Sequence, residues 1–352
     1  MTILVTGAAG FIGSNFVLNW LNKEEGDVVS LDNLTYAGNL NNLSSLSKNS
    51  RHFFVKGDIG DSELISSTFK KYNPTAIINF AAESHVDRSI LAPDTFIETN
   101  ILGTYKLLQN TLSYWEALIE NQKKDFRFIH ISTDEVYGDL DKNAPPFTEE
   151  NRYIPNSPYS ASKAASDHLV RAWHQTYNLP VVTTNCSNNY GSFQFPEKLI
   201  PLCIINAIND KPLPLYGDGK QIRDWLYVDD HCDAIRVALK SGVIGETYNI
   251  GGNTEKTNIQ VVQLICKLLD NLKPRPDKIS YAQQISFVKD RLGHDRRYAI
   301  DSSKIQKKLG WQPKDSFESG MVKTIKWYLD HDEWVRNIIS GDYKKWIDNH
   351  YS

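Results

Sequence analysis

The chain has 352 residues, of which 41% are hydrophobic, and a formal net charge of −3. This length suits one large domain or two modest ones, and the charge balance argues against nucleic acid or an anionic membrane surface as a partner. No window of the sequence is apolar for long enough to cross a membrane. The four cysteines form no CxxC pair and no disulfide pattern, and the opening residues do not resemble a signal peptide. We therefore expect a reducing, cytoplasmic setting.

Short apolar segments alternate with amphipathic ones through the first half of the chain. The pattern predicts strands at 3–5, 27–31, 53–55, 76–80, 126–131 and 181–185. It predicts helices at 11–21, 61–72, 93–115 and 158–177. Such alternation is typical of an α/β fold, with a doubly wound parallel sheet covered by helices on both faces, and thus Rossmann-like.

After residue 186 the alternation weakens, and proline and glycine become frequent. We predict helices at 229–239, 259–272 and 320–329, and a strand at 247–250. We interpret this half as a smaller cap over the carboxyl edge of the sheet. The predicted Rossmann-like domain comprises 1–187 plus roughly 224–250. The predicted smaller C-terminal domain, which would bind the substrate, comprises 188–223 plus roughly 251–335.

Three glycines follow the first predicted strand and open the first helix: Gly7, Gly10 and Gly13. Glycine lets the backbone approach a pyrophosphate, which the helix N-terminus attracts through its unpaired N–H groups. Asp32 ends the second strand, where a carboxylate would bind a ribose 2′-hydroxyl and repel a 2′-phosphate. We therefore expect NAD rather than NADP. An ordinary glycine-rich turn and an Asp32 that caps a turn are the alternatives.

Tyr159 and Lys163 form a YxxxK motif, whose spacing puts both side chains on one face of a helix. A nearby ammonium favours the phenolate, so we expect Lys163 to lower the pKa of Tyr159. The tyrosine would then take a proton from a substrate hydroxyl as hydride leaves the same carbon. Thr133, at the end of the fifth strand, would bind the reacting oxygen. The alternative is a solvated helix face.

Two carboxylates, Asp134 and Glu135, follow Thr133 directly. Side chains of this kind are a poor choice for packing at the end of a buried strand. They suit a reaction that needs an acid and a base side by side, such as the elimination of water after an oxidation. The alternative is that one carboxylate caps a turn and the other faces solvent.

Several segments resemble known enzymes. The GxxGxxG spacing is similar to that of the extended short-chain dehydrogenase/reductase superfamily. The chain resembles the nucleotide-sugar 4,6-dehydratases up to about residue 330, and the segments that carry this resemblance are STDEVYG (132–138), AAESHVDRSI (81–90), NNYGSFQFPEKLIP (188–201), PLPLYGDGKQIRDWLYVDDH (212–231) and DRLGHDRRYAID (290–301). Ser192 and Leu292 stand where the family usually has proline. The resemblance implies a homodimer formed through the helices near 93–115 and 158–177.

The resemblance also implies roles for individual residues. Asp134 would be the general acid and Glu135 the general base, with Thr133, Tyr159 and Lys163 completing the catalytic group. The residues expected to bind NAD are Gly7, Gly10, Phe11, Ile12, Gly13, Asp32, Asn33, Leu34, Thr35, Asp58, Ile59, Phe80, Ala81, Ala82, Ser84, Thr99, Tyr159, Lys163 and Asn188. The residues expected to bind the substrate are Ser84, Thr133, Asn188, Lys198, Leu199, Pro212, Tyr216, Arg223, Asn258, Asp290, Arg291 and His294.

The expected substrate is a glucose nucleotide, with dTDP-glucose favoured and UDP-glucose left open. A nucleotide-sugar 4-epimerase or decarboxylase is the nearest alternative, and it would have no use for Asp134. A non-catalytic NAD-binding protein is a further alternative, which the presence of Thr133, Tyr159 and Lys163 disfavours. We expect no metal, because His294 has no His or Cys at ligand spacing.

Overall fold

The computed structural model describes residues 1–290 and 294–339. Its strands, in chain order, are β1 (Thr2–Thr6), β2 (Asp27–Asp32), β3 (His52–Lys56), β4 (Ala76–Asn79), β5 (Arg127–Thr133), β6 (Val181–Cys186), β7 (Asn188–Tyr190), β8 (Leu213–Tyr216), β9 (Ile222–Tyr227), β10 (Thr247–Ile250), β11 (Glu255–Thr257) and β12 (Ile285–Val288). Within the described residues, seven strands form one parallel sheet in the order β3-β2-β1-β4-β5-β6-β10. The strand order reverses between β1 and β4, and this reversal opens a crevice at the carboxyl edge. The predicted doubly wound sheet is confirmed.

Helices cover both faces of the sheet. In chain order they are α1 (Phe11–Lys23), α2 (Ser62–Tyr72), α3 (Val86–Leu91), α4 (Pro93–Phe96), α5 (Thr104–Glu116), α6 (Glu120–Asp125), α7 (Pro158–Tyr177), α8 (Leu199–Ile208), α9 (Val228–Ser241), α10 (Asn258–Leu272), α11 (Ser303–Leu309), α12 (Phe317–Asp330) and α13 (Asp332–Ile339). Side chains from α1, α9 and α11 pack on one face, and those from α2, α5 and α7 on the other. Ile3 and Val5 point to the first face and Leu4 to the second, so β1 is apolar throughout.

The single long helix predicted at 93–115 is wrong in detail. The segment is α4, then a π-helical turn at Ile97–Gly103, then α5. A π turn inserts an extra residue per turn, and sequence periodicity does not reveal such an insertion. The turn positions Asn100, whose side-chain amide hydrogen-bonds the backbone of Glu83 and the hydroxyl of Ser162.

The second half is more regular than its sequence indicates. A third apolar core forms where α8, α10, α12 and α13 pack together. Two small sheets accompany it: β9 pairs with β7 and β11, and β8 pairs with β12. The domain division predicted near residue 224 falls inside β9 and stays a prediction. Among the described residues, no helix combines the length and the apolar character that a membrane span requires.

Candidate active site

The glycine loop connects β1 to α1 at the crevice. Gly7 has a φ of +63°, and a Cβ there would lie 2.7 Å from the backbone nitrogen of Ala81. A Cβ on Gly13 would lie 2.2 Å from the carbonyl oxygen of Gly7. Both positions therefore require glycine. Gly10 precedes α1, and no side chain caps this helix, so its first N–H groups are available to an anionic ligand.

Asp32 lies at the end of β2, beside the glycine loop. Its carboxylate oxygens accept hydrogen bonds from the backbone N–H groups of Ala9 and Leu34, each at 2.8 Å. Burial raises the pKa of Asp32, although both hydrogen bonds act in the opposite direction. The bond from Leu34 is the turn-capping contact considered as the alternative. The bond from Ala9 ties the acid to the glycine loop, so Asp32 also orders the expected cofactor site.

Three adjoining cavities occupy the crevice. The first, which we call the glycine-loop cleft, runs from Gly7 past Tyr159 to Lys198. The second, the Asp32 recess, lies between the ends of β2 and β3 and the π-helical turn. The third, the Arg223 pocket, lies under the C-terminal part of the chain. Glu135 and Asn188 belong to the walls of both the glycine-loop cleft and the Arg223 pocket.

Most of the predicted site residues line these cavities. In the glycine-loop cleft they are Gly7, Gly10, Phe11, Ile12, Gly13, Thr35, Phe80, Ala82, Ser84, Thr133, Asp134, Glu135, Tyr159, Lys163 and Asn188. In the Asp32 recess they are Asp32, Asn33, Asp58, Ile59, Ala81 and Thr99, together with Gly7, Thr35 and Ala82. In the Arg223 pocket they are Leu199, Tyr216, Arg223, Asn258 and His294, together with Glu135, Asn188 and Lys198.

Three predicted residues lie elsewhere in the described part of the chain. Leu34 is outside the three walls and contributes its N–H to Asp32. Pro212 is exposed, precedes β8 and accepts a hydrogen bond from Asn206, whereas the next proline, Pro214, lies within β8 and lines the Arg223 pocket. Asp290 is behind the wall, where it binds Nδ1 of His294 at 2.6 Å. Arg291 lies outside the described residues, as does Leu292.

The carboxyl end of β5 positions the acidic pair. The strand ends at Thr133, whose Oγ1 accepts the N–H of Glu135 and donates to Asp134 Oδ1 at 3.4 Å. Asp134 is only 2% exposed, and its Oδ2 has no partner among the described residues. Burial, followed by the charges of Glu135 and Asp224, raises the pKa of Asp134 well above its usual value. This shift favours the protonated carboxylic acid, the form that has a proton to give.

The start of α7 positions Tyr159 and Lys163. Ser157 caps the helix by accepting the N–H of Ser160, and Pro158 occupies the first turn. Tyr159 then lies within hydrogen-bonding reach of the Thr133 hydroxyl. Lys163 is buried and donates to the carbonyl oxygen of Ile131 at 2.8 Å.

The expectation that Lys163 lowers the pKa of Tyr159 is not met in this geometry. Burial raises the pKa of Tyr159 well above its usual value, and the charge of Glu135 adds to the effect. Burial also lowers the pKa of Lys163. Desolvation of the phenolate is the largest cause of this shift, and sequence spacing gives no measure of it.

Sequence reasoning missed Glu197, which belongs to the walls of the glycine-loop cleft and the Arg223 pocket. This carboxylate is 6% exposed and accepts a hydrogen bond from Tyr36 at 3.2 Å. The guanidinium of Arg88 lies 3.3 Å away, and Nε2 of His85 lies 3.6 Å away. Burial raises the pKa of Glu197 to about 7. The position stands within the quoted segment at 188–201, but nothing in its spacing marked it out.

Arg223 lies at the base of its pocket. Its guanidinium stacks over the ring of Tyr298 at 4.3 Å and donates to the carbonyl oxygens of Ile222 and Asp295. The side chain is 5% exposed, so it forms a fixed, planar cation that suits a diphosphate. Lys198, which donates to the carbonyl oxygen of Ser84 at 3.0 Å, adds a second positive charge to the lining of the same pocket.

Comparisons with known proteins agree with this arrangement. The family model described as GDP-mannose 4,6 dehydratase matches residues 4–324. A dTDP-glucose 4,6-dehydratase of Xanthomonas campestris is 59% identical over 97% of both chains. The solved structure of the dTDP-glucose 4,6-dehydratase of Bacillus anthracis in complex with NAD is 46% identical, has a TM-score of 0.85 and covers 96% of this chain and 99% of its own.

A second solved structure extends the comparison. It is the dTDP-glucose 4,6-dehydratase of Streptomyces venezuelae with NAD and TYD bound, 43% identical, with a TM-score of 0.87 and coverage of 96% of this chain and 100% of its own. The fold, the order of the site segments and the relatives thus agree along nearly the whole chain. The chain therefore belongs to the dehydratase family that the GDP-mannose 4,6 dehydratase model describes, as a relative of the dTDP-glucose 4,6-dehydratases.

Proposed function

We propose that the protein is an NAD-dependent dTDP-glucose 4,6-dehydratase. It converts dTDP-glucose to dTDP-4-keto-6-deoxyglucose and water, a product suited to deoxysugar nucleotide biosynthesis. The observation that carries this proposal is the buried Asp134, whose raised pKa favours the protonated acid, beside Glu135 in one cleft with Tyr159 and Lys163. Oxidation alone requires one proton acceptor, whereas loss of water requires an additional acid and base. Relatives that carry this enzyme name at 55–59% identity support the substrate.

Features of the crevice fit a dinucleotide. Gly7, Gly10 and Gly13 leave room for a pyrophosphate at an α1 N-terminus that has no side-chain cap. Asp32 is placed to bind the adenosine ribose and to disfavour a 2′-phosphate. When bound, NAD supplies a hydride acceptor that is restored by the end of the cycle, and a positively charged nicotinamide ring.

Tyr159 accepts the proton of the C4 hydroxyl as that carbon is oxidised. Because burial and Glu135 raise its pKa, the phenolate forms only where positive charge is close by. Lys163 brings such a charge to the same helix face, and its bond to the Ile131 carbonyl fixes its direction. Thr133 orients the reacting oxygen through its hydroxyl.

The carboxylate pair performs the elimination. The 4-keto group acidifies the C5 proton, which Glu135 removes. Asp134 protonates the C6 hydroxyl, which leaves as water. Burial favours the neutral, protonated form of Asp134, and the half-buried Glu135 belongs to the walls of both the cleft and the Arg223 pocket, where a hexose would meet both groups.

The Arg223 pocket would hold the rest of the nucleotide sugar. Arg223 and Lys198 supply the positive charge for a diphosphate, and Asn188, Asn258 and His294 supply further hydrogen-bonding groups. UDP-glucose remains the alternative substrate. A nucleotide-sugar 4-epimerase or decarboxylase would share the fold and Tyr159, but its reaction would have no step that requires the buried acid Asp134.

Incubation with a glucose nucleotide and mass analysis tests the proposal. We expect dTDP-glucose to lose one water, and deuterium placed at C4 to appear at C6 of the product. A product of unchanged mass would indicate an epimerase, and loss of carbon dioxide from a uronic acid nucleotide would indicate a decarboxylase. Faster conversion of UDP-glucose than of dTDP-glucose would reassign the nucleotide.

We also propose a homodimer in the cytoplasm. The support for the dimer is apolar surface on the π-helical turn and α5, where Ile97, Leu102 and Tyr105 are each more than 40% exposed, and on α7, where Tyr177 is 45% exposed. Sedimentation equilibrium tests the assembly, and charged substitutions at Leu102 and Tyr105 should yield monomers.

A further inference from the structure

The last described helix, α13, contacts the region of the glycine-loop cleft from a distant part of the sequence. Trp334 of this helix is 8% exposed and packs against Trp327 and Phe193. Its indole Nε1 donates a hydrogen bond to Oδ1 of Asn42 at 2.7 Å. The two residues are 292 positions apart in the chain. The bond therefore joins the C-terminal core to the short 3-10 helix Leu40–Leu46.

Asn42 also hydrogen-bonds the backbone of the glycine loop. The side chain is 2% exposed, and its Nδ2 donates to the carbonyl oxygen of Ala9 at 2.9 Å. The backbone N–H of Asn39 donates to the same oxygen at 3.0 Å. The N–H of Ala9 donates in turn to the Asp32 carboxylate. A continuous series of hydrogen bonds thus runs from Trp334 to the expected pyrophosphate and ribose positions.

The indole fixes the orientation of the Asn42 amide. In the observed orientation, an N–H of the tryptophan meets the amide oxygen, and the amide nitrogen meets the Ala9 carbonyl. Rotation of the amide by half a turn would place donor against donor at Trp334 and acceptor against acceptor at Ala9. Without the indole N–H, the buried amide oxygen would lose its partner, which is unfavourable.

We propose that Trp334 is a positioning residue for cofactor binding, which acts through Asn42 on the backbone of the glycine loop. This inference rests on the proposed use of NAD. Residues Thr35, Ala37 and Gly38, which precede the 3-10 helix, line the cleft as well. The C-terminal helix therefore stabilises the part of the cleft wall next to the 3-10 helix, although it touches none of the reacting atoms.

The experiment compares Trp334→Phe with Trp327→Phe in the full-length protein. Both changes keep an aromatic ring within the same cluster, but no acceptor for the Trp327 indole N–H occurs among residues 1–290 and 294–339. We expect Trp334→Phe to raise the Kd for NAD by at least roughly 5-fold, with an upper limit of about 150-fold if the whole cost of one unpaired buried acceptor falls on the NAD-bound state. Trp327→Phe should change it less than twofold. At saturating NAD, kcat should stay within twofold for both variants.

Calorimetric titration of NAD-stripped protein gives Kd, and thermal unfolding gives Tm. A lower Tm with an unchanged Kd in Trp334→Phe would overturn the inference, and so would equal changes in both variants. Asn42→Ala should weaken NAD binding by a similar factor, and its combination with Trp334→Phe should add little. If Trp334→Phe does not fold, Asn42→Ala alone tests the inference, and an unchanged Kd for NAD in that variant would overturn it. If the unaltered protein binds no NAD, the proposed function fails instead.

Discussion

The Asp134 carboxyl offers the sharpest test of the proposed reaction. In Asp134→Asn, the amide keeps the size of the side chain but cannot protonate a leaving hydroxyl. General acids contribute typically about 10²- to 10⁴-fold to a rate. Asp134 is only 2% exposed, so water is poorly placed to replace it. We therefore expect elimination to slow by about 10³-fold, which corresponds to ~4 kcal/mol of barrier.

Oxidation at C4 should be much less affected, because Tyr159 and Lys163 are unchanged. Single-turnover experiments separate the two steps: absorbance of the reduced cofactor reports oxidation, and mass analysis of the quenched sugar reports loss of water. We expect the reduced cofactor to accumulate in the variant. Asp141→Asn, at an exposed carboxylate in the loop that follows, is the matched control. Equal slowing of both steps, or normal elimination, would refute the assigned role of Asp134 as acid.

Three further predictions concern the cofactor site and its surroundings. Gly13→Ala should weaken NAD binding more than Gly10→Ala, measured by titration, because the new Cβ meets a carbonyl oxygen at 2.2 Å rather than 3.3 Å. Asp32→Ala should narrow the preference for NAD over NADP by at least about tenfold, because it removes the carboxylate that repels a 2′-phosphate; an unchanged ratio of the two Kd values would contradict this. Between about pH 4.5 and 7, the folded protein retains a proton on Glu197 that the unfolded chain has lost, so this group makes folding less favourable as pH rises. The free energy of unfolding of Glu197→Gln, measured by urea unfolding, should therefore rise relative to that of the unaltered protein between pH 5 and pH 8. A difference between the two proteins that does not change with pH would contradict this prediction.

The first half of the fold follows from sequence because each strand is an apolar run between amphipathic helices. In the second half, the predicted helices at 229–239, 259–272 and 320–329 and the strand at 247–250 correspond to α9, α10, α12 and β10. The short strands β7, β8, β11 and β12 were not predicted, since they have only three or four residues each and pair with distant segments. The helix α8 was missed for another reason. Its residues are almost uniformly apolar, so they show no helical period, and Pro201 falls in the first turn, where it is tolerated.

The residues of the proposed catalytic group could be grouped from sequence because they stand in two short motifs at the ends of a strand and a helix, and they line one cleft. Glu197 was not, since its partners Tyr36, His85 and Arg88 come from separate parts of the chain. The pKa of Tyr159 was predicted in the wrong direction, because the result depends on burial and on the charge of Glu135. Spacing identifies which groups meet, but the environment that sets their protonation arises only in the folded protein.

The wall shared by the glycine-loop cleft and the Arg223 pocket has a consequence for the choice of substrate. Glu135 and Asn188 line both cavities, so the nucleotide end of a bound substrate would be held away from the carbons that react. Attraction between Arg223 and a remote diphosphate can then be used to align C4, C5 and C6 rather than only to retain the molecule. Glucose 1-phosphate should accordingly turn over slowly even at saturation. The binding energy of the nucleotide would thus contribute to the rate of the reaction and not only to the affinity for the substrate.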